Sequence, residues 1–348
     1  MAAAEAAAEA VGTATRDFNV VLGTMNFGWK QSSQTVDDKA ARQQLELFIS
    51  RGYSDLDTAL MYAGGKTEQL LGRILSGDLR ERTRLATKAN PNMSRLREGH
   101  DKVGGLRPEM LTMQVERSLS QLRTSSVDIL YLHAPDSATP IEPTLKAVAE
   151  LHARGSFREL GLSNYQAWEV AHIYHLSKAH GWVLPSVYQG MYNAVTREVE
   201  RELLPCLHEL GIRFLAYNPL AGGMLTGKHR PDDPVSKGRF KGNAEYMGRY
   251  WKPVYMSLDA VQAACKQEGL TSTAAALRWL RHHSALRADR GDGVVLGASS
   301  VDHLQENLDA IAAGPLPPAV VEAFDSMWSA CRPECPSYER GHSASAAL

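Results

Sequence analysis

Four residues of different chemical character stand at or just beyond the ends of short apolar runs: Asp57 in SDLDTA, Lys88 in RLATKA, His133 in VDILYLHA, and Tyr62, five positions after Asp57. A carboxylate, an ammonium, an imidazole and a phenol can together hold, move and orient a proton. Each alone has an ordinary explanation. An aspartate after a strand caps a helix or forms a turn, a lysine there is solvated, a histidine in LYLHA is a hydrogen-bonded core residue, and a tyrosine packs. Their coincidence sets them apart, because titratable groups cluster at functional sites. Ser163 and Asn164, then Gln189, then Tyr217 with Asn218 end three further runs. A metal site built on His133 and Asp57 lacks further ligands at supporting spacing, and no GxSxG elbow marks an activated serine. Hydride transfer suits the set better.

Elements must bring these residues to one place. Eight β-branched or apolar runs occur in order, at 18–25, 54–59, 84–89, 127–134, 157–164, 186–193, 212–220 and 293–300. Between them lie segments of helical period, such as DDKAARQQLELFISRG, PEMLTMQVERSLSQL, IEPTLKAVAELHARG and STAAALRWLRHH, several closed by a glycine as a helix C-cap would be. Strand and helix alternating eight times predict an α/β fold of the (β/α)8 TIM-barrel type, whose chemistry collects at the C-terminal ends of the strands. A doubly wound sheet is the alternative, but the first turn reads GTMNFGWK and lacks the GxGxxG fingerprint. The polar stretch 221–250 is too long for an ordinary βα turn and reads as a functional loop over the barrel mouth.

Composition bounds the rest. A chain of 348 residues with 44% hydrophobic residues fits one barrel with decorated ends, and a net charge of −1 offers no field to draw it to nucleic acid. The expected division is a tail over 1–17, a barrel domain over 18–340 and a second tail over 341–348. No apolar run reaches the ~20 residues of a membrane span, and MAAAEAAAEA does not read as a secretory signal. The four cysteines are read as thiols of a reducing compartment, with CRPEC unable to complete a zinc site, so a cytoplasmic location is expected.

DLDTALMY, LATK, YLHAPD, LGLSNY, YQGMYN and AYNPLAGGMLTGK resemble, in order and spacing, the motifs of the aldo-keto reductase superfamily. With ASSVDHLQEN and the tail ECPSYER, the chain is similar to the branch that reduces aflatoxin dialdehyde and succinic semialdehyde, over about residues 18–340. The resemblance implies an NADPH-dependent aldehyde reductase with Asp57, Tyr62, Lys88 and His133 as its catalytic residues and no metal. Lys88 would favour the phenolate of Tyr62, Asp57 would hold Lys88 charged, and Tyr62 would give its proton to the carbonyl oxygen that His133 orients. The other reading is a cofactor-sensing regulatory barrel resembling potassium-channel β subunits.

By the same resemblance Asp57, Ser163, Asn164 and Gln189 contact the nicotinamide end of the cofactor, and Tyr217 stacks on its ring. The segment of Asn218, Pro219, Leu220, Ala221, Gly222, Gly223, Met224, Leu225, Thr226, Gly227 and Lys228 would wrap the pyrophosphate with backbone amides. Ser299, Ser300, His303, Gln305, Glu306 and Asn307 match the adenosine-phosphate segment, with Arg239 and Tyr246 contributed from the loop side. Many relatives put a lysine and an arginine where this chain has serines and His303, so Arg239 is expected to share the task of pairing the 2′-phosphate. Tyr62, His133 and Arg340 are expected to touch substrate, Arg340 by binding a distal carboxylate. The partner is a small-molecule aldehyde, and the branch suggests a homodimer.

Overall fold

Successive side chains of a strand point to opposite faces, so each short run offers one face to a ring of helices and the other to a closed interior. The computed structural model describes residues 18–29, 36–92, 105–229 and 244–340. Among these, eight parallel strands close into a barrel in sequence order: β1 (Asn19–Gly23), β2 (Asp55–Asp57), β3 (Arg84–Ala89), β4 (Val127–Leu132), β5 (Phe157–Ser163), β6 (Pro185–Met191), β7 (Arg213–Tyr217) and β8 (Gly293–Gly297). Each lies within or overlaps the run that the sequence marked. Closure runs from Asn19 opposite Gly293 to Gly23 opposite Gly297.

The principal helices are α1 (Asp38–Ser50), α2 (Lys66–Ile74), α3 (Pro108–Leu122), α4 (Ile141–Ala153), α5 (Ala167–His180), α6 (Leu203–Glu209), α7 (Asp259–Gln267), α8 (Ser272–His282), α9 (Val301–Ala312) and α10 (Pro318–Cys331). Local chemistry starts and stops them. Asp37 accepts the Ala40 amide at the head of α1, Gln166 and Glu169 form a capping box on α5, and Gly181 ends α5 in the left-handed region. Leu22, Leu56, Leu85, Leu130, Leu160, Tyr188, Phe214 and Val294 carry the outer face of the strands into the core shared with the helices. At ~1.5–3 kcal/mol for each large apolar side chain removed from water, this layer supplies the main driving force for the fold.

Val21, Ala86, Ile129, Tyr131, Val187, Leu215 and Val295 fill the barrel interior. Tyr131 fits only because β5 has a glycine beside it: a Cβ on Gly161 would stand 2.3 Å from the Tyr131 ring. The interior is thus a packed plug, and chemistry is confined to the rim above it. Below the plug, Glu159 receives both Arg84 and Arg213 at 2.7 Å and closes the opposite end with charge.

The stretch after β7 is more ordered than the expected loop. Ala221–Thr226 forms a 3-10 segment with Met224 and Leu225 buried, and Ala244–Tyr250 is helical; 230–243 lie outside the described residues. After α10 the chain turns through Arg332–Glu334 and returns to the barrel, where the Arg340 amide donates to the Asn164 carbonyl at 2.9 Å.

Candidate active site

Strand alternation turns Asp57 of β2 and Lys88 of β3 into the barrel at its C-terminal end, where both are almost fully buried. The Lys88 ammonium donates to Asp57 Oδ1 and Oδ2 at 2.6 Å each, to the Thr58 carbonyl at 2.7 Å and to the Tyr62 hydroxyl at 3.2 Å. Burial pushes the Lys88 pKa down, and the charge and hydrogen bonds of Asp57 oppose that shift. The ammonium is therefore held by one carboxylate and aimed at one phenol. Gln189 Nε2 donates to Asp57 Oδ1 at 2.7 Å, which fixes the carboxylate from β6.

Tyr62 opens a 3-10 turn, Tyr62–Gly65, in which Ala63, Gly64 and Gly65 all have positive φ. That tight turn brings the phenol back over the strand ends. His133 follows β4, its amide donating to the Ala89 carbonyl, and its ring stands edge-on to Tyr62 with centroids 6.1 Å apart. Burial, then the Lys88 and Arg340 charges, hold the imidazole pKa well below its usual value, so His133 is neutral at physiological pH. A phenol beside an ammonium and a neutral imidazole beside that phenol form one rim cluster suited to an oxygen acquiring charge.

A polar chain extends from it. Asn164 Nδ2 donates to the His133 carbonyl at 2.8 Å and to Ser163 Oγ at 2.9 Å, while Asn164 Oδ1 accepts the Tyr217 hydroxyl at 2.7 Å. Arg340 donates to the same Tyr217 hydroxyl at 3.2 Å, with its guanidinium 5.8 Å from the ring centre. The tail arginine and the β5 and β7 residues therefore share one network with His133. Asn164 and Asn218 adopt left-handed φ of 64° and 58°, as polar residues at strand ends tolerate best.

A family comparison accords with this geometry: the aldo/keto reductase family model matches residues 19–329. The chain belongs to the aldo/keto reductase family. Its relatives include aflatoxin B1 aldehyde reductase member 2 of Mus musculus, 49% identical over 92% of this chain and 87% of that protein. The same-named protein of Homo sapiens is 47% identical over 92% and 89%, and human aldo-keto reductase family 7 member A3 is 45% identical over 92% and 96%. The protein is thus an oxidoreductase, and reductases of this family work with NADH or NADPH.

The residues of this aldo-keto reductase suit such a group. After β7 the backbone winds through Ala221, Gly222 and Gly223 at φ of 48°, 71° and 115°, a compact turn in which the Ala221 and Gly223 amides donate to the Asn218 and Leu220 carbonyls. At the end of β8, Ser300 caps α9 by accepting the His303 amide, and Ser299 Oγ lies 3.0 Å from His303 Nδ1. The two segments follow β7 and β8 at the mouth, and the N-terminus of α9 there favours phosphate. Asn307 is buried on α9, whereas Gln305 donates both to Asp309 Oδ1 and Oδ2, at 2.9 and 2.8 Å, and Glu306 is exposed. Arg239 and the side chain of Tyr246 lie outside the described residues.

Three residues near the site went unnoticed in the sequence. Tyr131 supports Lys88 from inside the barrel, its ring centre 5.6 Å from Nζ. Gln114 of α3 accepts the Asn90 amide and donates to the Gly105 carbonyl, anchoring the chain that leaves β3. Glu68 of α2 is fully buried and bonded to Thr87, the residue before Lys88. It shares a helix face with Leu71 and Leu75, three and seven positions on, which was the available signal.

Proposed function

We propose that this enzyme reduces aldehydes to primary alcohols with NADPH, Tyr62 supplying the proton. The carrying observation is the buried Lys88 ammonium, bonded at once to Asp57 and to the Tyr62 hydroxyl. NADPH when bound supplies the hydride that adds to the carbonyl carbon. Tyr62 donates its O–H to the carbonyl oxygen, and Lys88 stabilises the phenolate left behind. Neutral His133 hydrogen-bonds and orients that oxygen without competing as an acid. Asp57 and Gln189 keep Lys88 in place, and Thr58 contributes a carbonyl to the same ammonium. Ser163, Asn164 and Gln189 are the residues to hold the carboxamide, Tyr217 to stack on the nicotinamide, and 218–228 to hold the pyrophosphate. Arg239 and His303 are assigned to the 2′-phosphate, so Arg239→Ala should weaken NADPH and spare NADH.

The names of the relatives support the aldehyde class. Arg340 narrows it: its guanidinium stands on the Tyr217 hydroxyl and raises the positive potential at His133, so an aldehyde with a distal carboxylate is favoured. The deciding experiment is Tyr62→Phe assayed with NADPH and 4-nitrobenzaldehyde. NADPH should still quench intrinsic fluorescence while kcat falls by ~10²–10⁴. A variant within about threefold of wild type would overturn the assignment, and a wild-type protein that binds NADPH without turnover would point to cofactor sensing.

A further inference from the structure

The buried groups around Lys88 do not end with Asp57. Glu68 sits in the first turn of α2, fully buried, and its Oε1 accepts a hydrogen bond from Thr87 Oγ1. Thr87 and Lys88 are neighbours on β3, so alternation sends Thr87 to the helix side and Lys88 to the barrel side. Glu68 thus backs the strand segment that carries the ammonium. Its Oε2 is buried with no hydrogen-bond partner among the described residues, while Ser118 and Arg117 of α3 and Lys88 of β3 are the groups that act on the carboxyl. Lys88 directs its own hydrogen bonds to Asp57, Thr58 and Tyr62.

We propose that Glu68 is a positioning residue whose protonation sets how readily Tyr62 gives up its proton. The inference rests on the reading of Tyr62 as the acid. With Glu68 neutral, Lys88 and Asp57 balance each other and the developing Tyr62 phenolate meets no further buried anion. With Glu68 ionised, a second carboxylate lies behind Lys88 and the phenolate forms against it. Reduction is therefore faster with Glu68 protonated. Desolvation, only partly offset by Thr87, Ser118 and the Lys88 and Arg117 charges, raises the Glu68 pKa to about 7, so the change falls near neutral pH.

The test is the single-turnover rate of hydride transfer from NADPH to 4-nitrobenzaldehyde, followed from about pH 5.5 to 9 in wild type and Glu68→Gln. Glutamine keeps an acceptor for Thr87 and cannot ionise. Wild type should lose roughly threefold to tenfold in rate as pH rises through neutrality, and Glu68→Gln should hold its low-pH rate across that window. Identical profiles overturn the proposal. Infrared difference spectra of the cofactor-free protein provide a readout apart from activity: a buried carboxylic-acid band should vanish as pH rises through neutrality in wild type and be missing in Glu68→Gln. A wild-type spectrum without that band also overturns it. Should Glu68→Gln fail to fold, Thr87→Val serves, since loss of the donor to Oε1 moves both the band and the rate limb to higher pH, and an unmoved limb refutes the coupling. Failure of the Tyr62 reading is seen separately, as full activity in Tyr62→Phe with the Glu68 band intact.

Discussion

Asp57→Asn is the perturbation whose consequence the structure defines most fully. It removes the charge that holds Lys88, an ammonium 1% exposed and bonded to both Asp57 oxygens at 2.6 Å. The Thr58 carbonyl and the Tyr62 hydroxyl remain, and neither carries charge to replace it. Breaking one side of a buried pair costs ~3–5 kcal/mol, because the surviving charge stays desolvated. Lys88 can avoid that cost by releasing its proton, the direction in which burial already pushes it, but a neutral amine does not stabilise a phenolate. Stability and turnover should therefore both fall, turnover by ~10²–10⁴. Lys88→Met leaves the Asp57 carboxylate buried with Gln189 as a remaining donor and should be comparably destabilised. Combining the two removes both charges, so the double variant should be more stable than the sum of the single effects by ~1.5–3 kcal/mol while remaining inactive. The assay is a double-mutant cycle by urea unfolding, paired with single-turnover reduction. Additive destabilisation would refute the buried-pair argument, and near-normal turnover in any of the three would refute the role of Lys88.

Arg340→Ala should cut kcat/KM for succinic semialdehyde by roughly 10–100-fold and leave 4-nitrobenzaldehyde nearly unchanged; equal losses would mean that the tail only supports the Tyr217 network. His133 should stay neutral where an ordinary imidazole takes up its proton, since burial and the Lys88 and Arg340 charges depress its pKa, and NMR showing its imidazole titrating near 6.5 would contradict this. In Arg340→Ala the His133 titration should move up, because only the Lys88 charge then joins burial in depressing it. For Glu68 the folded pKa of about 7 exceeds the ordinary 4.5, so its contribution to stability is full below about 4.5 and is lost as pH rises through about 7. Glu68→Gln should accordingly gain on wild type by roughly 3 kcal/mol between about pH 5 and 8, and an unfolding difference independent of pH would refute the shift.

The barrel and most of its rim were legible in the chain because both rest on short-range patterns. Eight short β-branched or apolar runs, separated by helical segments with closing glycines, admit few arrangements, and the strand-end positions of Asp57, Lys88, Ser163 and Gln189 follow from the runs themselves. Gly222 and Gly223, placed in the pyrophosphate segment by the family resemblance, take the positive φ that glycine permits. Other features depended on contacts between residues far apart in sequence. Nothing local says that Gln189 bonds Asp57 across the barrel, that Arg51 of the turn after α1 pairs with Asp309 of α9, or that the tail beyond α10 returns to lay Arg340 against Asn164 and Tyr217. Glu68 is the clearest case. Its residue type suggests a solvated helix face, and only the packing of α2 and α3 against β3 strips it of water, which is why its charge state, unlike its place in the helix, belongs to the tertiary structure.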